Sequence, residues 1–284
     1  MAPVRDVDVA LVRDTVAHLL VEANYVIPPD ILDALRAAVS VEQSPLGRRT
    51  LEQLVRNYEV AAAERVPVCQ DSGMAVVFLD VGQDVHWVGG SLREAVFEGV
   101  REGTRAGYLR WSIAGDPARR LPMAGDESPA MIHVDLVPGD RVRIQVASKG
   151  FGAENMSALR MLVPADGVRG IVDFVVETVD RAGANACPPV IVGVGVGGSF
   201  EGVAMAAKRA VLRPLTERAP RPDLHDLELE LLARVNDLGI GPQGLGGRVT
   251  ALAVNIEALP THIAGLPVAV NLGCHSTRRM TGEL

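Results

Sequence analysis

AMIHVDLV at residues 130–137 and RVRIQVAS at 141–148, joined by Pro138-Gly139-Asp140, decide how this chain is to be folded. Both runs alternate apolar and polar residues, the period of a strand with one buried face. Pro-Gly-Asp between them is turn chemistry, so the pair reads as a hairpin. A hairpin pairs its strands antiparallel, which favours a mixed sheet over the purely parallel sheet of repeated βα units.

Upstream, MAVVFLDV at 74–81 is short, apolar and β-branched, as a buried strand is. The residues before it carry apolar side chains at helical spacing over 6–24, 31–42 and 50–64. Pro28-Pro29 breaks the first of these helices from the second, with Asp30 placed as an N-cap. Ser91-Leu92-Arg93-Glu94 fits a capping box that opens an amphipathic helix to about Leu109. Downstream the pattern predicts a helix near 168–182, a strand at 190–198, helices over 200–212 and 225–238, and strands near 249–257 and 266–273. The expected fold class is α+β: a helical N-terminal lead-in, then a mixed, largely antiparallel sheet flanked by helices. It is expected as one domain over 1–284, with the lead-in at about 1–65 and an α/β body at about 66–284.

With 48% hydrophobic and only 4% aromatic residues, the core must be aliphatic. The net charge of −7 with scattered basic residues leaves no electrostatic footprint for nucleic acid. No signal peptide is legible, and no apolar run approaches the roughly 20 residues of a membrane span. A cytoplasmic location is therefore expected. In that reducing compartment three cysteines do not suggest a disulfide framework.

Cys69 in VPVCQDSG, Cys187 in NACPPV and Cys274 in NLGCHS each stand at a strand junction beside Pro or Gly. One reading makes them small buried hydrophobes. Structural zinc is a second, but closely spaced C-x-x-C pairs are missing. A third is an iron–sulfur cluster assembled by tertiary folding, three thiolates on a cubane leaving one iron open as a Lewis acid. A Cys–His nucleophile is the fourth, although His275 directly follows Cys274 and chain neighbours point apart. Of the histidines, His18 and His133 read as structural and His86 and His225 as surface residues. His262, in LPTHIAG between two strands, is the better candidate for polar chemistry.

GVGVGG at 193–198 lacks G-x-G-x-x-G spacing, and GIGPQGLGG at 239–247 lacks the Gly-Lys-Ser/Thr of a P-loop. Both read as tight turns whose backbone N–H groups can approach an anion or a cluster. KGFGAEN at 149–155 reads likewise, with Lys149 adding a cation.

Taken in order, P-V-C-Q-D-S-G (67–73), K-G-F-G-A-E-N-M-S (149–157), A-C-P-P (186–189), G-V-G-V-G-G-S (193–199), L-G-I-G-P-Q-G-L-G-G (238–247) and H-x(4)-P-V-A-V-N-L-G-C (262–274) form a series. The series resembles the α subunit, or N-terminal catalytic domain, of iron–sulfur hydro-lyases: class I fumarases and their L-tartrate dehydratase relatives. The resemblance runs from about residue 10 to 279. It implies a 4Fe–4S cluster held by Cys69, Cys187 and Cys274, with an open fourth iron, and reversible hydration of fumarate to L-malate. It further implies that Gln70 and Asp71 lie beside the open iron and that Asp71 protonates the departing hydroxyl. Arg110 then grips a substrate carboxylate, His262 contacts substrate, and Lys149-Gly150 line the pocket. The base belongs to a second domain that single-chain members carry, and this chain ends ten residues after Cys274. A separate β subunit, as α2β2, is therefore expected.

The series departs from the family pattern at Ser72, where threonine is usual, and at Phe151 and Ala153 in the glycine loop. M-A-G-D-E at 123–127 departs too, from a more typical N-T-G-D-N. Phe151 leaves substrate choice open. L-Tartrate or mesaconate are the alternatives, although the E-N-M-S loop and the His262 segment look more fumarase-like. A non-catalytic iron–sulfur redox sensor is the alternative of a different class.

Overall fold

The computed structural model describes residues 4–123 and 129–284, so M-A-G-D-E lies, after Met123, outside the described residues. The chain forms two compact units, and elements are numbered along the chain. Met1–Pro28, Tyr58–Gly150 and Arg278–Leu284 make the first; Pro29–Asn57 and Phe151–Thr277 make the second.

In the first unit, β1 (Arg5–Asp8) leads into α1 (Val9–Tyr25), and β2 (Met74–Gly82) is followed by β3 (Val85–Val88) and α4 (Leu92–Ala106). The short β4 (Ala114–Asp116) and β5 (Leu121–Pro122) precede β6 (Met131–Val137) and β7 (Val142–Lys149), and β12 (Arg278–Glu283) ends the chain's structure. The main sheet has the order β12-β7-β2-β6. Both alternating runs are strands, and Gly139 makes a turn at φ 95°. They are not a hairpin, however. β2 inserts between them, parallel to β6 and antiparallel to β7. The reason is burial: β2 is buried at most positions and can be flanked on both edges, whereas β6 is largely exposed and suits a sheet edge.

Helices α1 and α4 cover this sheet. Asp8 caps α1 by accepting from the N–H of Ala10, and Ser91 caps α4 by accepting Glu94 N at 3.4 Å, which is one half of the expected capping box. The two helices pack closely because Gly99 and Gly103 present no side chain. A Cβ at Gly99 would come within 2.5 Å of the Arg13 carbonyl.

The second unit holds α2 (Pro29–Val41), the part of α3 (Pro45–Glu64) up to Asn57, α5 (Phe151–Glu154), β8 (Ala158–Leu162) and α6 (Gly167–Ala182). It continues through β9 (Val190–Gly197), α7 (Phe200–Leu212), α8 (Pro222–Asn236), β10 (Ala251–Leu259) and β11 (Leu266–Gly273). Its sheet order is β10-β9-β11-β8, parallel between β10 and β9 and antiparallel elsewhere. Pro29 rather than Asp30 opens α2. Proline suits a first helical position, and the Asp30 carboxylate instead accepts the N–H of Leu215 at 2.7 Å.

GVGVGG is mostly strand rather than turn. Gly193 and Gly195 lie inside β9, and only Gly197 and Gly198 turn, at φ 84° and 74°. The glycines serve packing: a Cβ at Gly193 would sit 2.3 Å from Val211 N on α7, so the helix lies on bare backbone. Over-packing a core costs about 1–3 kcal/mol, and a backbone clash places Gly193→Ala at the upper end. Its urea midpoint should fall accordingly; an unchanged midpoint would mean that α7 does not pack there as described.

Candidate functional site

The loop 66–73 is tied down from several sides of the first unit. Val68 N donates to the Asn24 carbonyl at 2.9 Å, just before Cys69. The Ser148 hydroxyl donates to the Ser72 carbonyl, and the Ser72 hydroxyl accepts Arg110 N at 2.8 Å. Asp71 Oδ1 accepts Gly73 N at 2.8 Å, closing an Asx turn. Gly73, at φ 71°, is required because a Cβ would meet the Lys149 carbonyl at 2.6 Å. The loop thus presents Cys69 half-buried, with its Sγ 3.4 Å from the carbonyl oxygen of an exposed Gln70 side chain.

Lys149, buried at the end of β7, is paired in register with Met74, so the K-G motif lies against the C-Q-D-S-G motif. A side chain at Gly150 would come within 3.3 Å of both Asp71 Oδ2 and Arg278 Nη2. The bare backbone at 150 therefore leaves space between a carboxylate and a guanidinium. Arg278 is 2% exposed; its Nη1 donates to Asn24 Oδ1 at 2.8 Å, and its Nε is enclosed without a hydrogen-bond partner among the described residues. Arg110 is exposed, and it borders a cavity of about 20 Å³ shared with Ser72 and Gly73, room for a single water. The first unit thus brings Asp71, Gly150 and Lys149 together and adds Asn24 and Arg278. Sequence reasoning missed both: Asn24 sits in a helical pattern and Arg278 among polar residues, with no motif to single out either.

In the second unit the antiparallel register pairs Gly273 with Ile191. Cys187, just before β9, and Cys274, just after β11, consequently lie at one end of the sheet. Three hydrogen bonds, from two residues, hold the backbone around Cys187. His275 N donates to the Cys187 carbonyl at 3.3 Å, and Gln243 donates to the Pro188 carbonyl through both its backbone N, at 2.7 Å, and its Nε2, at 2.8 Å. Cys187 itself is left-handed, φ 53° and ψ 65°. Cys274 Sγ lies 3.2 Å from the Ser276 hydroxyl.

The E-N-M-S loop reaches the same strand. Asn271 Nδ2 donates to Glu154 at 2.9 Å and to the Ser157 hydroxyl at 3.0 Å, and Glu154 also pairs with Lys208. His262 lies elsewhere. Its exposed loop precedes β11, whereas Cys274 follows it, and an eight-residue strand is about 26 Å long. His262 therefore stands apart from Cys187 and Cys274.

Glu42, also missed, is fully buried behind the glycine loop 239–247. Burial disfavours its charge, yet the backbone N–H groups of Ser44, Arg248, Val249 and Gln43 outweigh that and hold the carboxyl below the usual carboxylate range. Its stabilisation is thus present above the ordinary carboxylate pKa and lost as pH falls through the lowered one.

No disulfide joins the three cysteines, and all are half-buried. Among the described residues, in neither unit do three His, Cys, Asp or Glu side chains converge as a single metal ion would require. Within each unit the thiols stand beside turns with backbone donors, Cys69 in the first and Cys187 and Cys274 in the second, and thiols of this kind suit iron–sulfur ligation. No described helix is long and apolar enough to cross a membrane.

The family model described as Fumarate hydratase (Fumerase) matches residues 13–283. A protein of Methanocaldococcus jannaschii named putative L(+)-tartrate dehydratase subunit alpha is 39% identical, over 94% of this chain and 95% of its own length. L(+)-tartrate dehydratase subunit alpha of Escherichia coli strain UTI89 is 34% identical and that of strain K12 33%, each over 94% of this chain and 89% of the relative.

Proposed function

The chain belongs to the fumarate hydratase (Fumerase) family, and from that premise we propose that it is the α subunit of an iron–sulfur hydro-lyase that dehydrates L(+)-tartrate. The observation that carries the substrate is the 39% identity to a relative named for that diacid. The sequence motifs put fumarate first, and the relatives reverse that order. Hydration of fumarate is the second reading, favoured by the description of the matching family.

Tartrate bears a hydroxyl on each central carbon. Loss of one hydroxyl and of the proton on the neighbouring carbon releases water and an enol, which ketonises to oxaloacetate. Such an elimination needs a proton donor to the departing oxygen, a base at the neighbouring carbon and cations for two carboxylates. Cys69, Cys187 and Cys274 would hold the cluster, which supplies a Lewis-acidic iron for the substrate hydroxyl. Asp71 is the proton donor. Its Oδ1 is fixed by Gly73 N, while Oδ2 faces the space that Gly150 leaves open. Arg110 offers a guanidinium fork to one carboxylate, and Lys149-Gly150 line the wall beside Asp71. Gln70 is proposed as a further substrate contact, whereas His262, a strand's length from Cys187 and Cys274, is left out of the site.

The base and the second carboxylate grip are assigned to a separate β subunit, as the relatives' names, subunit alpha, suggest. The assembly proposed is α2β2. Anaerobic co-expression with that partner and assays on L(+)-tartrate, fumarate, L-malate and mesaconate test the reading. L(+)-Tartrate should be preferred by more than about tenfold in kcat/KM. Preference for fumarate hands the assignment to the second reading, and full turnover by this chain alone removes the β subunit.

A further inference from the structure

A buried carboxylate far from the thiols in sequence grips a loop whose tip hydrogen-bonds the residue next to one of them. Glu42 follows the last turn of α2, where its own N–H donates to the Ala38 carbonyl at 3.0 Å. Its Oε1 accepts Gln43 N and Ser44 N, each at 2.8 Å, at the start of α3 where helix N–H groups lack partners. On its other side Oε1 accepts Arg248 N at 3.0 Å, and Oε2 accepts Arg248 N and Val249 N, each at 2.9 Å. All the partners of these two oxygens are backbone N–H groups, so the carboxylate acts as a template for the loop. Two glycines make room for it. A Cβ on Gly247, at φ 140°, would fall 2.7 Å from Oε1, and one on Gly47 would fall 3.1 Å from the carboxyl carbon.

The loop that Glu42 grips doubles back on itself. Gly246 N donates to the Ile240 carbonyl at 2.9 Å, and a Cβ on Gly241 would lie 2.2 Å from the Gly246 carbonyl carbon. Its tip is Gln243, which holds a left-handed conformation at φ 55°, ψ 20°. A non-glycine residue persists there only when its surroundings over-determine it. Gln243 spends that conformation on its double grip of the Pro188 carbonyl, one peptide beyond Cys187. Cys187 is itself left-handed. Gln243 thus grips the carbonyl of the residue after the left-handed Cys187, with Glu42 bracing the far end of the loop.

We propose that Glu42 is a positioning residue for Cys187: it locks the loop 241–249, whose Gln243 sets the Pro188 carbonyl and thereby the direction of the Cys187 thiol. Its bearing on cluster binding rests on the function proposed above, but the positioning itself does not.

The test uses the full chain before cluster loading. Glu42→Gln removes one acceptor oxygen, and Gln243→Ala removes the side-chain half of the grip while leaving Glu42 intact. Amide hydrogen exchange and site-resolved alkylation by iodoacetamide are read for both, with Cys69 as the internal reference. In Glu42→Gln the amides of Gln243, Arg248 and Val249 should exchange more than about tenfold faster. The alkylation rate of Cys187 relative to Cys69 should shift severalfold. Gln243→Ala should shift Cys187 likewise while Arg248 and Val249 stay protected. Iron and acid-labile sulfide per chain after reconstitution should fall in both. Unchanged Cys187 reactivity in a folded Glu42→Gln overturns the proposal. If that variant does not fold, unchanged Cys187 reactivity in Gln243→Ala does so. A wild-type chain that binds no cluster defeats the proposed function instead, with the exchange and alkylation results still standing.

Discussion

Asp71→Asn should keep the iron and sulfide content of the wild-type chain and lose turnover by about 10²–10⁴, the usual contribution of a general acid. Asparagine preserves the shape of the loop, because its side-chain oxygen still accepts Gly73 N. What it lacks is a carboxyl able to carry a proton on the atom beside Gly150. Structure, cluster content and KM should change little, while kcat falls, the pattern of an interaction made only in the transition state. Turnover at the wild-type rate would take Asp71 out of the reaction.

Cys274→Ser should have the larger effect, abolishing both the cluster and all turnover that depends on it. A serine hydroxyl is nearly isosteric with the thiol, so β11 and its register with β9 should survive, as far-ultraviolet circular dichroism would report. It is not a thiolate, and iron–sulfur clusters are held by thiolates. The variant should purify anaerobically without brown colour and without acid-labile sulfide. Wild-type colour and sulfide in Cys274→Ser would mean that this thiol is no ligand, and Cys69 and Cys187 would have to be examined alone.

How far the molecule was legible follows from the range of the forces involved. The helices and most strands are local patterns: the apolar period of α1, the S-L-R-E cap of α4 and the β-branched run of β2 all declare themselves within a few residues. The hairpin misreading came from the same local logic. Pro138-Gly139-Asp140 does turn the chain, but which strands then pair depends on β2, arriving from some 50 residues upstream. In GVGVGG the alternation of Val with Gly was the available signal. Glycine on every second residue marks one bare strand face, and α7 occupies it. The site divided in the same way. Cys69, Asp71 and Lys149 stand in motifs, whereas Glu42 works through backbone N–H groups and Arg278 meets Asn24 across 254 positions of sequence, neither of which a local residue pattern reveals. His262 reads as a neighbour of Cys274 by sequence spacing, and a strand's length separates them.

The place of β12 in the first sheet has a consequence for synthesis. It pairs with β7 from Arg278 opposite Ser148 to Glu283 opposite Arg143, while Arg278 reaches back to Asn24 near the start of the chain. On the ribosome, every residue of the second unit exists once Thr277 has been added. The first unit, begun earlier, still lacks its closing strand at that moment. Its β7 waits with an open edge, the kind of surface on which nascent chains pair wrongly, until Arg278–Glu283 emerge. A stop codon placed at Arg278 would thus leave the second unit whole in sequence, with Cys187 and Cys274, and expose the sheet that carries Lys149.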